Sequence, residues 1–255
     1  MLAFTYEDSR QVAEKLAEIV KSSSAAAIEK NGRFTIALSG GSLPKILAQG
    51  LAQVQGVDFA KWEVFFADER VVPLDHEDST FHACQEAFFS KVGLKREQIH
   101  TLSEELLKEN EKDVQNYADE YEGQLVHTFA NASTIKVPSF DLIVLGCGPD
   151  GHTCSLFPNH ELLKEDVAWV APITDSPKPP KERITLTLPV VTHAHQIVFV
   201  ATGAAKKTVI KEILEDATST LPSALITQAA KDRTTWLMDN AASENLSRAT
   251  LADHF

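Results

Sequence analysis

The chain is short of cysteine, of long apolar runs and of basic residues, and each shortage removes a class of protein. Three cysteines in 255 residues, an odd number without paired or metal-type spacing, do not make a disulfide framework; they suit a reducing compartment, so the cytosol is the expected location. No segment approaches the roughly 20 apolar residues of a membrane-spanning helix. Residues 1–8 also lack the basic start and apolar core of a signal peptide. The sequons Asn131-Ala132-Ser133 and Asn245-Leu246-Ser247 carry no weight without a secretory route. With 24 Lys and Arg against 36 Asp and Glu, a formal net charge of −12, binding along a nucleic-acid backbone is not expected, because it needs a cationic surplus. Any anion site must therefore be local.

Several chemical signatures are missing too. Neither the Walker A pattern nor the dinucleotide fingerprint occurs, so no nucleotide is expected. Gly-x-Ser-x-Gly is absent, which disfavours a serine nucleophile, and no His, Cys and acid cluster has metal spacing. The expectation is an enzyme or binding protein with no metal and no cofactor.

What is present is a regular alternation. Hydrophobic residues make up 44% of the chain, enough for a sizeable core. Short continuous apolar runs at 34–38, 62–67, 140–145 and 196–201 read as strands buried on both faces of a parallel sheet. Helical periodicity marks 9–27, 43–51, 79–92, 104–130 and the stretch after Lys206. Strands are also expected at 168–172, 224–227 and 235–238, and a half-buried strand over 183–189, where Arg183-Ile184-Thr185-Leu186-Thr187 alternates with period two. Asp175-Ser176-Pro177-Lys178-Pro179-Pro180-Lys181 is an irregular proline-rich loop. No composition break or repeat divides the chain, which predicts one α/β domain over 1–255 with a largely parallel sheet.

The chemistry gathers at the predicted strand ends, where open α/β sheets bind ligands. The 140–145 run enters Gly146-Cys147-Gly148-Pro149-Asp150-Gly151-His152, a glycine loop carrying an acid beside an imidazole able to exchange protons near neutrality. Strand 34–38 enters Ser39-Gly40-Gly41-Ser42-Leu43-Pro44, a helix N-terminus whose free amides and hydroxyls suit a phosphate. Strand 62–67 delivers Asp68-Glu69-Arg70. Strand 196–201 turns through Gly203 into Lys206, a lysine that the positive end of a helix dipole disfavours unless an anion is nearby. Together these residues point to a small phosphorylated substrate, with His152, Asp150, Asp68 and Arg70 as the acid–base and charge-stabilising groups. Ser39, Gly40, Gly41, Ser42, Arg183 and Lys206 are the expected anion holders. His82, His193 and His195 read as structural.

The stretches 38–44, 68–73, 146–158 and 183–187, taken in order, resemble the 6-phosphogluconolactonase family in its eukaryotic form. The 146–158 motif with its Ser155-Leu156-Phe157-Pro158 tail is the most specific of them. The resemblance implies a modified Rossmann-like three-layer sandwich and hydrolysis of 6-phospho-D-glucono-1,5-lactone in the oxidative pentose phosphate pathway. It further implies His152 as the base, oriented by Asp150. The related glucosamine-6-phosphate deaminases share the glycine turn and the Asp-Gly-His loop. Arg70, where deaminases typically have an aromatic, and the 153–158 continuation favour the lactonase. Ser79-Thr80 departs from the Ser-Asn of many bacterial lactonases and puts one substrate-side contact in doubt. The alternatives are an amino-sugar-phosphate deaminase or isomerase, or a non-catalytic sugar-phosphate-binding paralogue.

Overall fold

Alternate residues of each central strand point into two different cores, and that division defines the architecture. In a computed structural model, which describes residues 1–108, 113–130 and 135–252, the chain runs β1 (Leu2–Tyr6), α1 (Ser9–Asn31), β2 (Phe34–Leu38), α2 (Leu43–Leu51), β3 (Trp62–Phe66) and β4 (Asp68–Arg70). A helix follows as α3 (Thr80–Cys84), a π-helical turn (Gln85–Phe89) and α4 (Ser90–Val92). Next come α5 (Val114–Phe129), β5 (Leu142–Gly146), β6 (Val170–Ile173), β7 (Arg183–Leu186) and α6 (Leu188–His193). The chain ends with β8 (Ile197–Ala201), α7 (Lys207–Glu215), α8 (Pro222–Ala229), β9 (Thr234–Asp239) and α9 (Asn240–Ser243).

Six strands form one sheet in the order β1-β9-β8-β5-β2-β3, every neighbouring pair parallel. Phe34, Ile36 and Leu38 of β2 face the same core as Leu142 and Val144 of β5, under α1 and α2. Ala37, Ile143, Leu145, Ile197 and Phe199 face the opposite core with Tyr117, Tyr121 and Leu125 of α5. Helices on both faces explain why the strands read as unbroken apolar runs. This is the three-layer, mainly parallel α/β sandwich expected. Chain order reverses between β5 and β2, and ligands of such sheets sit at that switch point, beyond the carboxyl ends of the strands.

Three expectations need correction. Residues 224–227 belong to helix α8, not a strand: Pro222 sits in its first turn after an extended Leu221, and a four-residue apolar run cannot by itself separate the two states. Helix α5 starts at Val114, where the Asp113 carboxylate caps the Gln115 N–H, and residues 106–108 form only a 3₁₀ turn. Of the longer helix expected over 104–130, residues 109–112 lie outside the described residues, as does the 131–133 sequon. Asp68-Glu69-Arg70, delivered by β3 as expected, forms a strand of its own, β4, antiparallel to β7, which in turn pairs with β6 in a second, three-stranded sheet. Finally, β7 is buried along its whole length, because α5 packs against it. The edge strand β1 was not marked by any periodicity.

Candidate active site

At the carboxyl end of β5 the chain turns back on itself: the Gly148 N–H donates to the His152 carbonyl at 2.9 Å, and the Gly151 N–H to the Gly148 carbonyl at 3.0 Å. This tight return lays the His152 imidazole and the Asp150 carboxylate directly over Gly148. A side-chain carbon at Gly148 would lie 2.0 Å from His152 Nδ1 and 2.6 Å from Asp150 Oδ1, so only glycine admits the pair. Helix α8 pins the loop from below, with Ser223 donating its N–H and its hydroxyl to the Gly151 carbonyl at 3.1 and 2.9 Å. His152 Nδ1 hydrogen-bonds Asp150 Oδ1, and the ring lies over Phe157, centroids 4.9 Å apart.

Burial pushes the His152 imidazole down, the Asp150 hydrogen bond and charge pull it back, and the nearby Lys178 ammonium pushes down again; the net is below the ordinary value. For Asp150, burial acts upward, but His152 and Lys178 outweigh it and hold the carboxyl below its usual range. Near neutrality the pair is thus a neutral imidazole beside a carboxylate. Burial raises the Cys147 thiol to about 11 and Cys154 well above its ordinary value, so neither is a ready nucleophile.

His152 lines a pocket of about 140 Å³ together with Ser39, Gly40, Gly41 and Ser42 after β2, Asp68 and Arg70 of β4, Arg183 of β7 and Lys206 after β8. Nine of the ten expected site residues therefore converge on one pocket, and the tenth, Asp150, stands behind His152. The details differ from a simple phosphate cradle. Ser42 stands at the N-terminus of α2 but makes no side-chain cap bond, and Ser39 is buried with an unpartnered hydroxyl. Lys206 belongs to a 3₁₀ turn ahead of α7. Burial holds its ammonium below the ordinary value, against the opposing influence of Cys147 and Asp239.

Arg70 and Arg183 are directly opposite one another across the β4–β7 ladder. Like charges so placed repel, and burial followed by Arg70 lowers the Arg183 guanidinium below its usual value while Asp68 opposes them. Arg183 is 3% exposed. It donates to the carbonyls of Lys178, Pro179 and Pro180 at 2.9 to 3.0 Å and to the Ser155 hydroxyl at 3.3 Å. Arg70 donates to the Asp78 carbonyl at 2.7 Å, while its buried Nε has no hydrogen-bond partner and lies 4.0 Å from Asp68. Asp68 accepts from Ser155 at 2.7 Å. Two guanidiniums, a half-buried ammonium and unpartnered donors make this wall of the pocket cationic and donor-rich.

Two contributors, Ser155 and Lys178, were not read from sequence, and a third, Thr80, was marked there only as a departure on the substrate side. Ser155 links Asp68 to Arg183, and its only signal was its place in the 146–158 motif. Thr80, in the first turn of α3, has a buried unpartnered hydroxyl 2.8 Å from where a side chain on Gly40 would begin. Lys178, left in an irregular loop, reaches Asp150 Oδ1 at 3.2 Å and His152 Nδ1 at 3.0 Å. A lysine set among prolines just before Arg183 was the available signal. Glu69, by contrast, is fully engaged by the N–H groups of Arg70, Thr80 and Phe81 and by Ser79, and serves to hold β4 against α3.

The family model described as Glucosamine-6-phosphate isomerases/6-phosphogluconolactonase matches residues 7–236. The probable 6-phosphogluconolactonase of Schizosaccharomyces pombe is 62% identical over 252 residues, 98% of this chain and 98% of its own length. The 6-phosphogluconolactonase of Homo sapiens is 40% identical over 252 residues, 96% of this chain and 94% of its own. Among solved structures, the 6-phosphogluconolactonase from Trypanosoma cruzi aligns with a TM-score of 0.84 at 25% identity, covering 96% of this chain and 97% of that one. No described helix is long and apolar enough to cross a membrane. The chain belongs to the glucosamine-6-phosphate isomerase/6-phosphogluconolactonase family.

Proposed function

We propose that this chain is an enzyme hydrolysing 6-phospho-D-glucono-1,5-lactone to 6-phospho-D-gluconate, the lactone-opening step of the oxidative pentose phosphate pathway. One observation carries the reading: a carboxylate-oriented imidazole shares a single pocket with Arg70, Arg183, Lys206 and the unpartnered Ser39 hydroxyl. The names of the relatives agree with it. With Nδ1–H donated to Asp150, the His152 Nε2 lone pair is free to take a proton from water as the water oxygen bonds to the lactone C1. The carbonyl electron pair moves onto oxygen, and that oxyanion meets Arg70 or the amides of the 146–151 loop. On collapse the bond from C1 to the ring oxygen breaks, and the imidazolium returns its proton to the departing oxygen. Lys206, Arg183 and the Ser39–Ser42 turn hold the 6-phosphate and so set the angle of attack.

The test is turnover of the phosphorylated lactone, corrected for its uncatalysed opening, by wild type and His152→Ala. The wild type should hydrolyse it and the variant, with unchanged melting temperature, should lose about a thousandfold in kcat. Retained turnover in the variant would remove His152 as the base. The competing activity, amino-sugar-phosphate deamination, is read in parallel as ammonia released from glucosamine 6-phosphate. Phosphate-ligand binding with neither activity would instead indicate a non-catalytic binder.

A further inference from the structure

The proline-rich segment between β6 and β7 has a more ordered structure than its composition implies. Ser176 accepts the Lys178 N–H at 3.2 Å and donates its hydroxyl to the Lys178 carbonyl at 2.8 Å. Arg183 then ties down the carbonyls of Lys178, Pro179 and Pro180. Ser176 is buried, and so is Arg183. A loop fixed at these points delivers the Lys178 side chain to the His152–Asp150 pair, where its ammonium meets both partners.

A carboxylate and an ammonium make opposite demands on Nδ1. Asp150 accepts Nδ1–H and favours a charged imidazolium. Lys178, 3.0 Å from the same nitrogen, opposes a second positive charge there and donates to the Asp150 oxygen that His152 uses. We propose that Lys178 is a positioning residue for the base: by sharing Asp150 Oδ1 it fixes the carboxylate against Nδ1–H and keeps His152 in the neutral form, its Nε2 open to water. This rests on the lactonase reading for its catalytic consequence but not for its structural one. The other charged and titratable groups around His152 are Asp68 and Arg70 on β4, Arg183 on β7, Lys206 after β8, and Cys147 and Cys154 of its own loop. Among charges acting on His152, Lys178 opposes its protonation while Asp150 and Asp68 favour it.

Imidazole ¹⁵N NMR on the full chain, with His152 assigned by comparison with His152→Gln, reads the midpoint directly. Lys178→Met keeps the length of the side chain and all the backbone bonds of the loop. It should raise the His152 midpoint by about one unit and move the acid limb of kcat/KM upward with it, so that kcat/KM falls about tenfold on the acid side and is unchanged on the alkaline side. Lys178→Arg should restore both, and Lys178→Gln serves if the Met variant does not fold. An unmoved midpoint with a wild-type pH profile in both neutral variants overturns the proposal. A protein that fails to open the lactone would sink the functional reading, yet the midpoints would still decide the role of Lys178.

Discussion

The two sheets serve the same pocket by different means. The six-stranded parallel sheet supplies backbone: its strands β2 and β5 end in glycine turns whose amides, carbonyls and φ values set the position of His152 and of the Ser39–Ser42 donors. The three-stranded sheet supplies side-chain charge, placing Arg70 directly opposite Arg183 with Asp68 alongside. The first arrangement is free of facing like charges: its loops are closed by hydrogen bonds, with the Ser39 hydroxyl left unpartnered. The second is not: two facing guanidiniums are a local conflict that a bound anion would relieve. Departures from local consistency of this kind belong at functional sites. In the proposed mechanism the loops set the base for the chemical step, while the small sheet adds the charge that meets the oxyanion and the phosphate.

Gly148→Ala is the strongest way to break that division. The added carbon must displace the imidazole, since it would otherwise overlap Nδ1. The expected outcome is a loss of about a hundredfold in kcat with little change in KM, because a misplaced base costs turnover while the phosphate holders stay where they were. A rise in KM at constant kcat, measured by steady-state kinetics, would transfer the 146–151 loop to the binding side.

Arg70→Ala addresses the other half. A charge-assisted hydrogen bond is worth about 1.5–3 kcal/mol, so kcat/KM should fall by about 10–100-fold, through kcat where Arg70 meets the oxyanion. Unliganded stability should change by less than about 1 kcal/mol, since losing the bond to the Asp78 carbonyl is offset by removing repulsion from Arg183. Chemical denaturation without ligand checks it; a loss above about 3 kcal/mol would make Arg70 a structural ion-pair partner of Asp68 instead.

The same contrast governs what could be read in advance. The parallel sheet was legible because strands covered on both faces leave continuous apolar runs, and the 146–152 loop because glycines bracket an acid and a histidine. Of the small sheet, β6 and β7 were legible as strands, but β4 and the burial of β7 were not. Strand β4 spans three residues, too few for any periodicity. In β7, Arg183 and Thr185 alternate with Ile184 and Leu186, which reads as one wet face. Both polar residues are in fact buried, their hydrogen-bonding groups satisfied by carbonyls and by Ser155, and satisfied polar groups need no solvent. Lys178 was hidden for another reason: Ser176 and Arg183 close its loop locally, but the groups its ammonium meets, Asp150 and His152, lie 28 and 26 residues away in sequence. Residues 224–227 failed differently, because their helix is docked by Ser223 on the Gly151 carbonyl, a contact distant in sequence.

The smallest expected effect is on stability against pH, and it isolates the imidazole from the arginine pair. His152 is held below its ordinary value in the folded chain, so in the window just under about 6.5 the unfolded chain binds more protons than the folded one. Stability from this residue is therefore fully present above that window and declines as pH falls through it. The Asp150 carboxyl, also lowered, contributes stability that declines only further down, below the ordinary carboxylate value. Subtracting the melting temperature of His152→Gln from that of wild type should thus give a difference that shrinks steadily on acidification from pH 7 to 5. The corresponding difference for Arg70→Ala should stay nearly flat, because a guanidinium does not titrate there. If the His152 difference grew instead, the imidazolium would be the form the fold prefers, and the base would have to be regenerated by substrate binding, not supplied ready by the loop.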